Sequence, residues 1–481
     1  MPLFSIFRDS PDYERRKRTP FRPPKATVAD IRSVIPKHLY QKSTLKGCYY
    51  FCRDILCTAV LYSLATKIDG LVGSISAALL SGPLAPSTQM GLVTATKWIA
   101  WCLYFYWQGI AFAGLWCLGH EAGHGTLSIY PWLNTFFGFT LHTFLLIPYF
   151  SWRSTHHAHH KATMSMERDE NYIPRTRSDY KLPPQGKAQA MDYEEIFEEM
   201  PLFTLGRMVL MQLLGMQSYL LRNSMGSPMY PPGTNHFSPS SPLFKPHERR
   251  GIIASDIGLV IMACFLGVFY RQVGFAAFVR FYVIPYLFAN HWIVMLTYLH
   301  HSDPTIPHYR SKGWTSLRGA LATVDRPFLG WVGRYFLHNV SHDHIAHHTN
   351  SSIPFYNLPQ VTRIIKNVLR DDYNYDSTNS FRALYRTFTE CCFIEDEGDI
   401  VFYKNRKGEA ARVLADDINI WDYTVTSTAR EKGEELIYPE TAGAVTQLNT
   451  EVPAVPSVPF TSSSASTSVM VSMSLQNSML R

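Results

Sequence analysis

The sequence lacks the signatures of a disulfide-stapled protein, a zinc ribbon or a self-contained redox protein. Its eight cysteines include no CxxC pair and follow no regular spacing, which argues against a disulfide framework. It has no glycine-rich nucleotide fingerprint, no His-Pro-Gly-Gly haem motif and no internal repeat. The first apolar run begins near Tyr49, too far from Met1 for the apolar part of a signal peptide, so we expect no cleavable leader.

Basic residues are missing from one long stretch and concentrated in another. The stretch from Ile68 to Thr96 contains no Lys or Arg, whereas residues 1–48 hold eleven basic residues against four acidic ones. By the positive-inside rule, this asymmetry predicts a cytoplasmic N-terminus and an exterior or lumenal loop at 68–96. The basic segment suits anionic lipid headgroups. It lies directly before an apolar run, so its charge requires no nucleic acid and we expect none as a partner.

Apolar residues make up 46% of the chain and are clustered. A bilayer core of about 30 Å needs about 20 helical residues to cross it. Four segments are long enough, and we place the spans near residues 49–67, 97–118, 252–270 and 276–299. A short turn at Arg271–Phe275 would join the last two spans. The sequence therefore predicts an all-α membrane protein with four transmembrane helices in two hairpins.

Two further apolar segments are predicted to be interfacial helices. Trp132–Phe150 lies between two histidine clusters. If both clusters serve one site, the chain must cross the membrane an even number of times between them, and about 30 residues cannot easily cross twice. Thr204–Arg222 is shorter and carries Arg207 and Gln212. Both segments are therefore expected to lie along the membrane surface.

Composition divides the chain into four parts. They are a basic cytoplasmic segment at 1–48, a membrane domain with the histidine clusters at 49–405, a cytoplasmic extension at 406–440 and a tail at 441–481. The tail is rich in Ser, Thr, Val and Pro, and only Glu451 and Arg481 are charged. Such a composition cannot build an apolar core, so we expect disorder there. After Tyr356 the chain becomes polar, which predicts a cytoplasmic helical cap.

The histidines are concentrated in three short boxes. They are His120–His124 (HEAGH), His156–His160 (HHAHH) and His344–His348 (HIAHH). Each box places histidines at i and i+4, and the last two add i+3, so that the rings share one face of a helix. We predict eight metal ligands: His120, His124, His156, His159, His160, His344, His347 and His348.

Eight imidazoles are too many for one metal ion and suit two. Neutral imidazole binds iron, zinc, copper and nickel, so the residue type leaves the metal open. The first box also matches the zinc protease pattern, with Glu121 as general base. A protease would need one more ligand and would leave five histidines unused. A metal transporter is a further alternative, but transporters tend to place polar ligands inside spans, whereas these boxes flank them.

With the boxes in the order HxxxH, HxxHH and HxxHH, the sequence resembles the membrane fatty acid desaturases, specifically the fungal and plant oleate delta-12 type. The resemblance covers roughly residues 40–405. It extends to the segments around the boxes, which are Trp152-Arg153, Arg168-Asp169-Glu170, Leu296–His301 (LTYLHH), Trp314–Arg326 (WTSLRGALATVDR) and Ile353–Asn357 (IPFYN).

The resemblance implies that the box histidines hold two iron ions and adds His301 as a ninth ligand at the end of the last span. Acidic residues near the boxes are candidates to orient imidazoles through their second ring nitrogen. They are Glu121, Asp169, Glu170, Asp303 and Asp343. His157 lies off the ligand stripe, and helical phase is expected to turn it away from the metals.

The implied reaction is O2-dependent desaturation of oleoyl chains at carbon 12, in the endoplasmic reticulum and with both termini cytoplasmic. An alkyl chain offers no acidic proton and no leaving group, so acid–base or nucleophilic catalysis has nothing to act on. The substrate would be an acyl lipid or acyl-CoA, and cytochrome b5 with its reductase would supply electrons. A related di-iron acetylenase, hydroxylase or omega-3 desaturase acting on C18 chains is the alternative.

The sequence departs from the family pattern at two places. Ala122 stands where oleate desaturases usually have Cys, and Ser341-His342-Asp343 stands where an Asp-Thr pair is commoner. Neither change removes a ligand. Both leave open the regiochemistry and whether the product is an alkene, an alkyne or a hydroxylated chain.

Overall fold

The computed structural model describes residues 7–80 and 85–418, and this part of the chain is mainly helical. Its first helices are α1 (Pro11–Arg18), α2 (Val28–Val34), α3 (Thr44–Ala65), α4 (Ile68–Leu80), α5 (Pro86–Gly123), α6 (Pro131–Phe144), α7 (Tyr149–Ala162), α8 (Ala190–Phe197) and α9 (Pro201–Arg222). The later helices are α10 (Arg249–Val273), α11 (Phe275–Phe278), α12 (Ile284–His301), α13 (Ser316–Leu321), α14 (Trp331–Phe336), α15 (His344–Thr349), α16 (Leu358–Leu369) and α17 (Ser380–Glu390).

Short turns of other helix types and one small sheet complete the described structure. The 3₁₀ turns are Lys37–Tyr40, Ser178–Tyr180, Pro246–Glu248 and Arg370–Asp372, and a π-helical turn covers Val279–Val283. Strands β1 (Pro307–Tyr309) and β2 (Ile400–Phe402) pair antiparallel, with His308 opposite Val401. The described fold is mainly helical and fits the predicted all-α class, and the small two-stranded sheet is an addition that the sequence did not predict. Three-residue strands carry too few residues to show an alternating apolar pattern.

Helix α5 forms the centre of the helical bundle. It packs against α3, α4, α6 and α12, and its second half, which contains the first box, is almost entirely buried. Gly109 allows α12 to approach closely, because a Cβ at this position would overlap the side chain of Phe288. The end of α5 that carries the first box is consequently held by contacts with several neighbouring helices.

Three helical stretches of the described residues are long and apolar enough to cross a membrane. They are Thr44–Ala78, Pro246–Val273 and Phe275–His301. They contain the predicted spans near 49–67, 252–270 and 276–299. The predicted span near 97–118 lies within α5 but is not one of these three, and a fourth candidate arises only if α6 and α7 are counted as one bent span. The last two spans are separated at Gly274 (φ +78°), within the predicted turn.

The stretch expected to be an exterior loop, 68–96, is helical over most of its described part. Helix α4 begins at Ile68, and α5 begins at Pro86 rather than near residue 97. The prediction of a loop was wrong, because an absence of Lys and Arg indicates on which side of the membrane a segment lies and says nothing about its backbone conformation. In α4, apolar residues outnumber Gly and Ser, and the helix packs against α5.

The segment predicted as one interfacial helix, Trp132–Phe150, is two helices. Helix α6 ends at Phe144, the backbone turns through Leu146 (φ +56°), and α7 continues at an angle of 108°. Pro148 precedes α7 and favours an extended residue before it. This bend turns the second box back towards the end of α5.

Three buried arginines and two buried aspartates join the N-terminal segment to the rest of the chain. They are Arg16, Arg326, Arg386, Asp303 and Asp376, each at most 3% exposed. Arg326 and Arg386 each donate a hydrogen bond to Asp376, and Arg326 Nη2 lies 2.7 Å from Asp303 Oδ2. Arg16 Nη2 lies 3.8 Å from the same Asp303 oxygen. The prediction that the basic residues of 1–48 face lipid headgroups is therefore wrong for Arg16.

The predicted C-terminal parts lie mostly outside the described residues. The extension predicted at 406–440 is described only to residue 418, and there the chain returns to the N-terminal segment. Phe21 N donates a hydrogen bond to Val413 O, and Arg22 pairs with Asp417. The tail predicted at 441–481 lies entirely outside the described residues.

Candidate metal centre

The three boxes lie at helix ends that converge. The first box forms the last turn of α5, with His124 directly after the helix. The second box lies in the C-terminal half of α7, and the third begins α15 at His344. His301 is the last residue of α12. Because all four helix ends meet, histidines that are up to 228 residues apart in sequence (120 to 348) share one site.

One group of imidazoles draws on all three boxes. Its members are His120, His124, His156, His160 and His347, whose ligand atoms all lie within 4.8 Å of one another. His156 Nε2 lies 3.0 Å from His124 Nε2 and 3.1 Å from His160 Nε2. The first two boxes therefore direct their nitrogens at a common point.

A second group lies beside the first. Its members are His159, His301 and His348, again with ligand atoms within 4.8 Å of one another. His344 belongs next to this group, since its Nε2 lies 3.0 Å from His301 Nε2. The two groups touch where His160 stacks on His348 with ring centroids 4.1 Å apart. The structure thus brings all nine sequence-predicted ligand positions together.

The spacing of the nitrogens fits two metal ions held by imidazoles. In the three Nε2–Nε2 pairs given above, the nitrogens are 3.0–3.1 Å apart, so the two members of each pair lie close enough to bind the same ion. Among the described residues, both ring nitrogens of His347 and the Nε2 of His348 have no hydrogen-bond partner. Buried nitrogens of this kind are suited to a metal ion.

The third-box imidazoles are neutral, which is the form that binds metals. Burial, together with the neighbouring His120, lowers the pKa of His347 to about 3. Burial and the neighbouring imidazoles likewise hold the pKa values of His344 and His348 well below their usual range. Protonation therefore does not compete with metal binding at neutral pH.

Asp169 orients one of the imidazoles, as a carboxylate beside a metal-binding histidine commonly does. Its Oδ1 lies 2.6 Å from His159 Nδ1, which leaves the Nε2 of His159 for the metal. Asp169 is held in turn, because its Oδ2 accepts a hydrogen bond from Met164 N at 2.7 Å. Glu170 differs: its Oε1 accepts a hydrogen bond from the Tyr230 hydroxyl at 2.5 Å.

Glu121 is fully buried between two boxes. Its Oε1 lies 3.2 Å from His120 Nδ1 and 3.7 Å from His347 Nδ1. Its Oε2 accepts a hydrogen bond from the Thr126 hydroxyl. Glu121 can therefore orient His120 of the first box, whereas its distance from His347 Nδ1 is too long for a hydrogen bond. Since its carboxylate is held by these side chains, it is not placed as a general base acting on water.

Asp343 and Asp303 contact arginines rather than box imidazoles. Asp343 precedes α15, and its Oδ2 lies 3.2 Å from Arg334 Nη1. Asp303 belongs to the buried network that holds Arg16 and Arg326. Both aspartates thus hold the chain segments next to the boxes in place and do not orient the box imidazoles directly.

Asp325 holds the third box and was not singled out by sequence reasoning, although it lies in the family-like segment Trp314–Arg326. Its Oδ1 accepts a hydrogen bond from Ile345 N in the first turn of α15, and Tyr373 donates a hydrogen bond to its other oxygen. Burial, opposed by these hydrogen bonds, raises the pKa of Asp325 to about 8. A carboxyl group that caps a histidine helix is not distinguishable in sequence from a solvated one.

Gly123 links the first two boxes through its carbonyl oxygen. It accepts a hydrogen bond from Arg153 Nε at 2.9 Å, and His157 Nε2 lies 3.1 Å from the same oxygen. His157 belongs to neither imidazole group, in agreement with its helical phase, although its ring centroid lies 5.4 Å from that of His124. It nevertheless contributes to the site, because it ties the second box to the end of α5.

Ala122 packs in the apolar core on the far side of α5 from the imidazoles. It is 1% exposed and belongs to the main cluster of buried apolar residues. Two positions along a helix correspond to a rotation of about 200°, so Ala122 points away from His120. Its methyl group therefore faces other apolar side chains.

Comparison with known proteins identifies the family to which the chain is similar. A family model described as fatty acid desaturase matches residues 96–379. A Delta(12) fatty acid desaturase of Mortierella isabellina is 38% identical over 399 residues, which are 82% of this chain and 93% of that protein. A Delta(12) fatty acid desaturase of Arabidopsis thaliana is 35% identical over 395 residues, 81% and 94% of the two chains.

An enzyme with a different name is also similar. An oleate hydroxylase of Claviceps purpurea is 34% identical over 412 residues, which are 80% of this chain and 82% of that protein. The family match covers more than half of the chain, and the relatives are matched over most of their length. The chain therefore belongs to the fatty acid desaturase family and is an oxidoreductase of that class.

Proposed function

We propose that the chain is an O2-dependent desaturase that introduces a cis double bond at carbon 12 of oleoyl chains, using two iron ions. The observation that carries the proposal is the convergence of nine histidines in two adjacent groups. The names of the Mortierella isabellina and Arabidopsis thaliana relatives support carbon 12 as the position.

The first group would hold one iron ion and the second group, with His344, would hold the other. When bound, iron together with O2 supplies the oxidising power that removal of two hydrogens from neighbouring carbons requires. The chain's own residues hold the imidazoles in place. Trp152 stacks on His156 with ring centroids 4.6 Å apart, and Trp116 stacks on His120 at 5.6 Å. Both indoles are themselves buried.

The donor set favours iron over the zinc of a protease. A catalytic zinc site in a protease uses three protein ligands, whereas nine imidazoles converge here. A protease would also need a carboxylate beside an open metal position. Glu121 instead contacts His120 and Thr126 in a fully buried position.

The proposed topology has four crossings, with the middle of α5 as the second. The protein would lie in the endoplasmic reticulum membrane with both termini in the cytoplasm. The boxes would lie on the cytoplasmic side of the membrane, covered by the helices that follow residue 301. The proposed parts remain 1–48, 49–405, 406–440 and 441–481. Epitope tags at residues 2 and 480 should be cleaved by protease added to sealed microsomes, and a tag at residue 87 should be protected. Protection of the 480 tag would contradict this topology.

The proposed substrate is oleate carried by a lipid or by CoA, and cytochrome b5 with its reductase would supply the electrons. The reaction is tested in a yeast that makes oleate but no linoleate, with double-bond localisation by gas chromatography and mass spectrometry. Linoleate should be the main new product. It should disappear in His120→Ala, His159→Ala and His347→Ala, while each variant still enters the membrane. A fully active His347→Ala would refute the ligand assignment.

Metal analysis tests the cofactor independently of the product. The purified chain should contain about two equivalents of iron and little zinc when metals are not limiting. One equivalent of zinc without iron would contradict the di-iron proposal.

Hydroxylation is the second candidate function, because the Claviceps purpurea relative bears that name at 34% identity. The same yeast experiment separates the two reactions. A hydroxylated C18 acid as the main product would replace desaturation in the proposal while leaving the metal site unchanged.

A further inference from the structure

Helix α14 (Trp331–Phe336), which precedes the third box, leaves two aromatic side chains uncovered. Trp331 and Tyr335 are four positions apart and therefore share one face of the helix. Trp331 is 71% exposed and Tyr335 is 41% exposed. The one charged residue of the helix, Arg334, pairs with Asp343 just before the third box, with its Nη1 3.2 Å from Oδ2. We call Trp331 and Tyr335 the α14 aromatic face.

Polar contacts fix α14 against α3, which belongs to one of the three stretches suited to cross a membrane. Arg53 Nη2 donates a hydrogen bond to Tyr335 O at 2.8 Å, and the same guanidinium lies 4.3 Å from the centroid of the Tyr335 ring. Asp54 Oδ2 lies 2.6 Å from Nε2 of His338, two residues after α14. The two charged residues of α3 therefore face α14 and the loop that follows it, as charged groups within a span commonly face protein.

Helix α14 also packs directly on α5. A Cβ at Gly114 would overlap Phe336 O, and the Phe336 ring lies 6.0 Å from that of Trp107. Arg53 is four residues from the start of the predicted span 49–67, and Gly114 is four residues from the end of the predicted span 97–118. At ~1.5 Å per residue, α14 therefore contacts both helices about 6 Å inside the span ends nearest to the boxes.

We propose that the α14 aromatic face lies in the cytoplasmic leaflet and binds phospholipid, so that α14 anchors the segment before the third box to the bilayer. This inference rests on the proposed topology. A depth of about 6 Å corresponds to the boundary between headgroups and acyl chains, where interfacial helices lie and where Trp and Tyr are enriched.

The surface of α3 beside α14 supports lipid as the occupant. Leu56 and Val60 follow Arg53 by three and seven positions and so lie on the same side of α3. Both are exposed, although they belong to a stretch suited to cross a membrane. The lipid-facing surface of α3 thus continues onto Tyr335, which contacts Arg53, and onto Trp331 one helical turn away.

Photo-crosslinking tests the contact directly. Residue 331 of the full-length chain is replaced by p-benzoylphenylalanine, and the protein is irradiated in nanodiscs of phosphatidylcholine. The peptide that contains residue 331 should gain the mass of one phosphatidylcholine molecule, as should the peptide of a positive control with the same replacement at Leu56. The negative control is Val413, which is comparably exposed (59%) but lies in the segment paired with Phe21; its lipid adduct should be at least tenfold weaker. A signal at residue 331 no stronger than at Val413, or an adduct to protein in place of lipid, would overturn the proposal.

Hydrogen exchange provides a second measurement in the same nanodiscs. Trp331→Asp should accelerate exchange of the amides of α14 at least tenfold, whereas Trp331→Tyr and the control Val413→Asp should exchange like the parent. An acidic residue in the first turn stabilises a helix in water, so faster exchange in Trp331→Asp reports loss of the lipid contact. Parental exchange in Trp331→Asp would overturn the anchoring role. Neither measurement uses iron or turnover. If the tag at residue 480 is protected while residue 331 crosslinks to lipid, the proposed topology is wrong and the lipid contact of α14 stands.

Discussion

Replacing Asp169 with asparagine changes a single atom beside the second imidazole group. The carboxylate accepts hydrogen bonds from His159 Nδ1 at 2.6 Å and Asn171 N at 3.1 Å on one oxygen, and from Met164 N at 2.7 Å on the other. An amide can accept on one side only. Asp169→Asn must therefore either lose the hydrogen bond to His159 or place its NH2 group against the Met164 N–H.

Both outcomes have a calculable size. A buried donor left without an acceptor costs about 1–3 kcal/mol. If the amide oxygen accepts from His159 Nδ1, the Met164 N–H loses its acceptor and the loop there is destabilised. If the amide oxygen accepts from Met164 N instead, His159 loses the hydrogen bond that orients its ring. Loss of such a partner typically reduces metal affinity or activity about 10–100-fold, which corresponds to about 1.4–2.8 kcal/mol. We expect Asp169→Asn to fall within this range and not to abolish activity, as removal of His159 itself should.

The neighbouring carboxylate supplies the control. Glu170 contacts the Tyr230 hydroxyl, and Glu170→Gln can still accept that hydrogen bond. Iron content should be measured by titration with a competing chelator, and linoleate formation should be measured in microsomes at matched protein level. Asp169→Asn with parental iron affinity and activity, or Glu170→Gln with the larger loss, would refute the assignment of Asp169.

Three further predictions concern other parts of the chain. Asp376→Ala leaves buried arginines without their partner and should lower stability by about 3–5 kcal/mol in detergent unfolding, whereas the exposed control Asp371→Ala should unfold like the parent. Burial alone would raise the pKa of Asp376, but the neighbouring guanidinium groups hold this pKa well below its usual range. The contribution of Asp376 to the free energy of unfolding should therefore be complete above about pH 4 and should decrease as the pH is lowered further. Ala122→Cys should leave the product profile in yeast unchanged, because the side chain faces the apolar core; a new product would contradict this placement. His157→Ala should reduce activity less than tenfold, because a second hydrogen bond to the same carbonyl remains, and complete inactivity would show that it has a larger role.

Sequence reasoning succeeded where a pattern reports directly on geometry. The spacing i, i+3, i+4 fixes which rings share a helical face, and the structure brings those rings together with the separately inferred His301. Long apolar runs likewise predicted three helical stretches suited to a membrane. The fourth predicted span was less distinct, because α5 mixes Trp and Tyr with its aliphatic residues and buries much of its surface within the bundle.

The remaining features depend on contacts that sequence does not encode locally. Nothing near Asp325 indicates that it accepts a hydrogen bond from Ile345, and nothing in the basic N-terminal segment distinguishes Arg16 from its exposed neighbours. The helix at 68–80 was mistaken for a loop because its charge pattern was interpreted as backbone conformation. In each case the decisive partner lies on another element of the chain.

The buried charges are best understood by what they hold in place. Arg326 donates from Nε to Leu299 O near the end of α12 and from its backbone nitrogen to Ser341 O, just before the third box. It thereby joins the segment that ends at His301 to the segment that precedes His344, and the Nε2 atoms of these two histidines are 3.0 Å apart. Buried ion pairs contribute little net stability compared with apolar packing, but removing one partner is costly. The role of these charges is to hold segments in position. The Arg326 guanidinium belongs to the network that fixes the end of α12 relative to the third box, and the second imidazole group forms only when these two segments lie close together. Because Arg16 joins the same network through Asp303, docking of the N-terminal segment supports the geometry of the metal site.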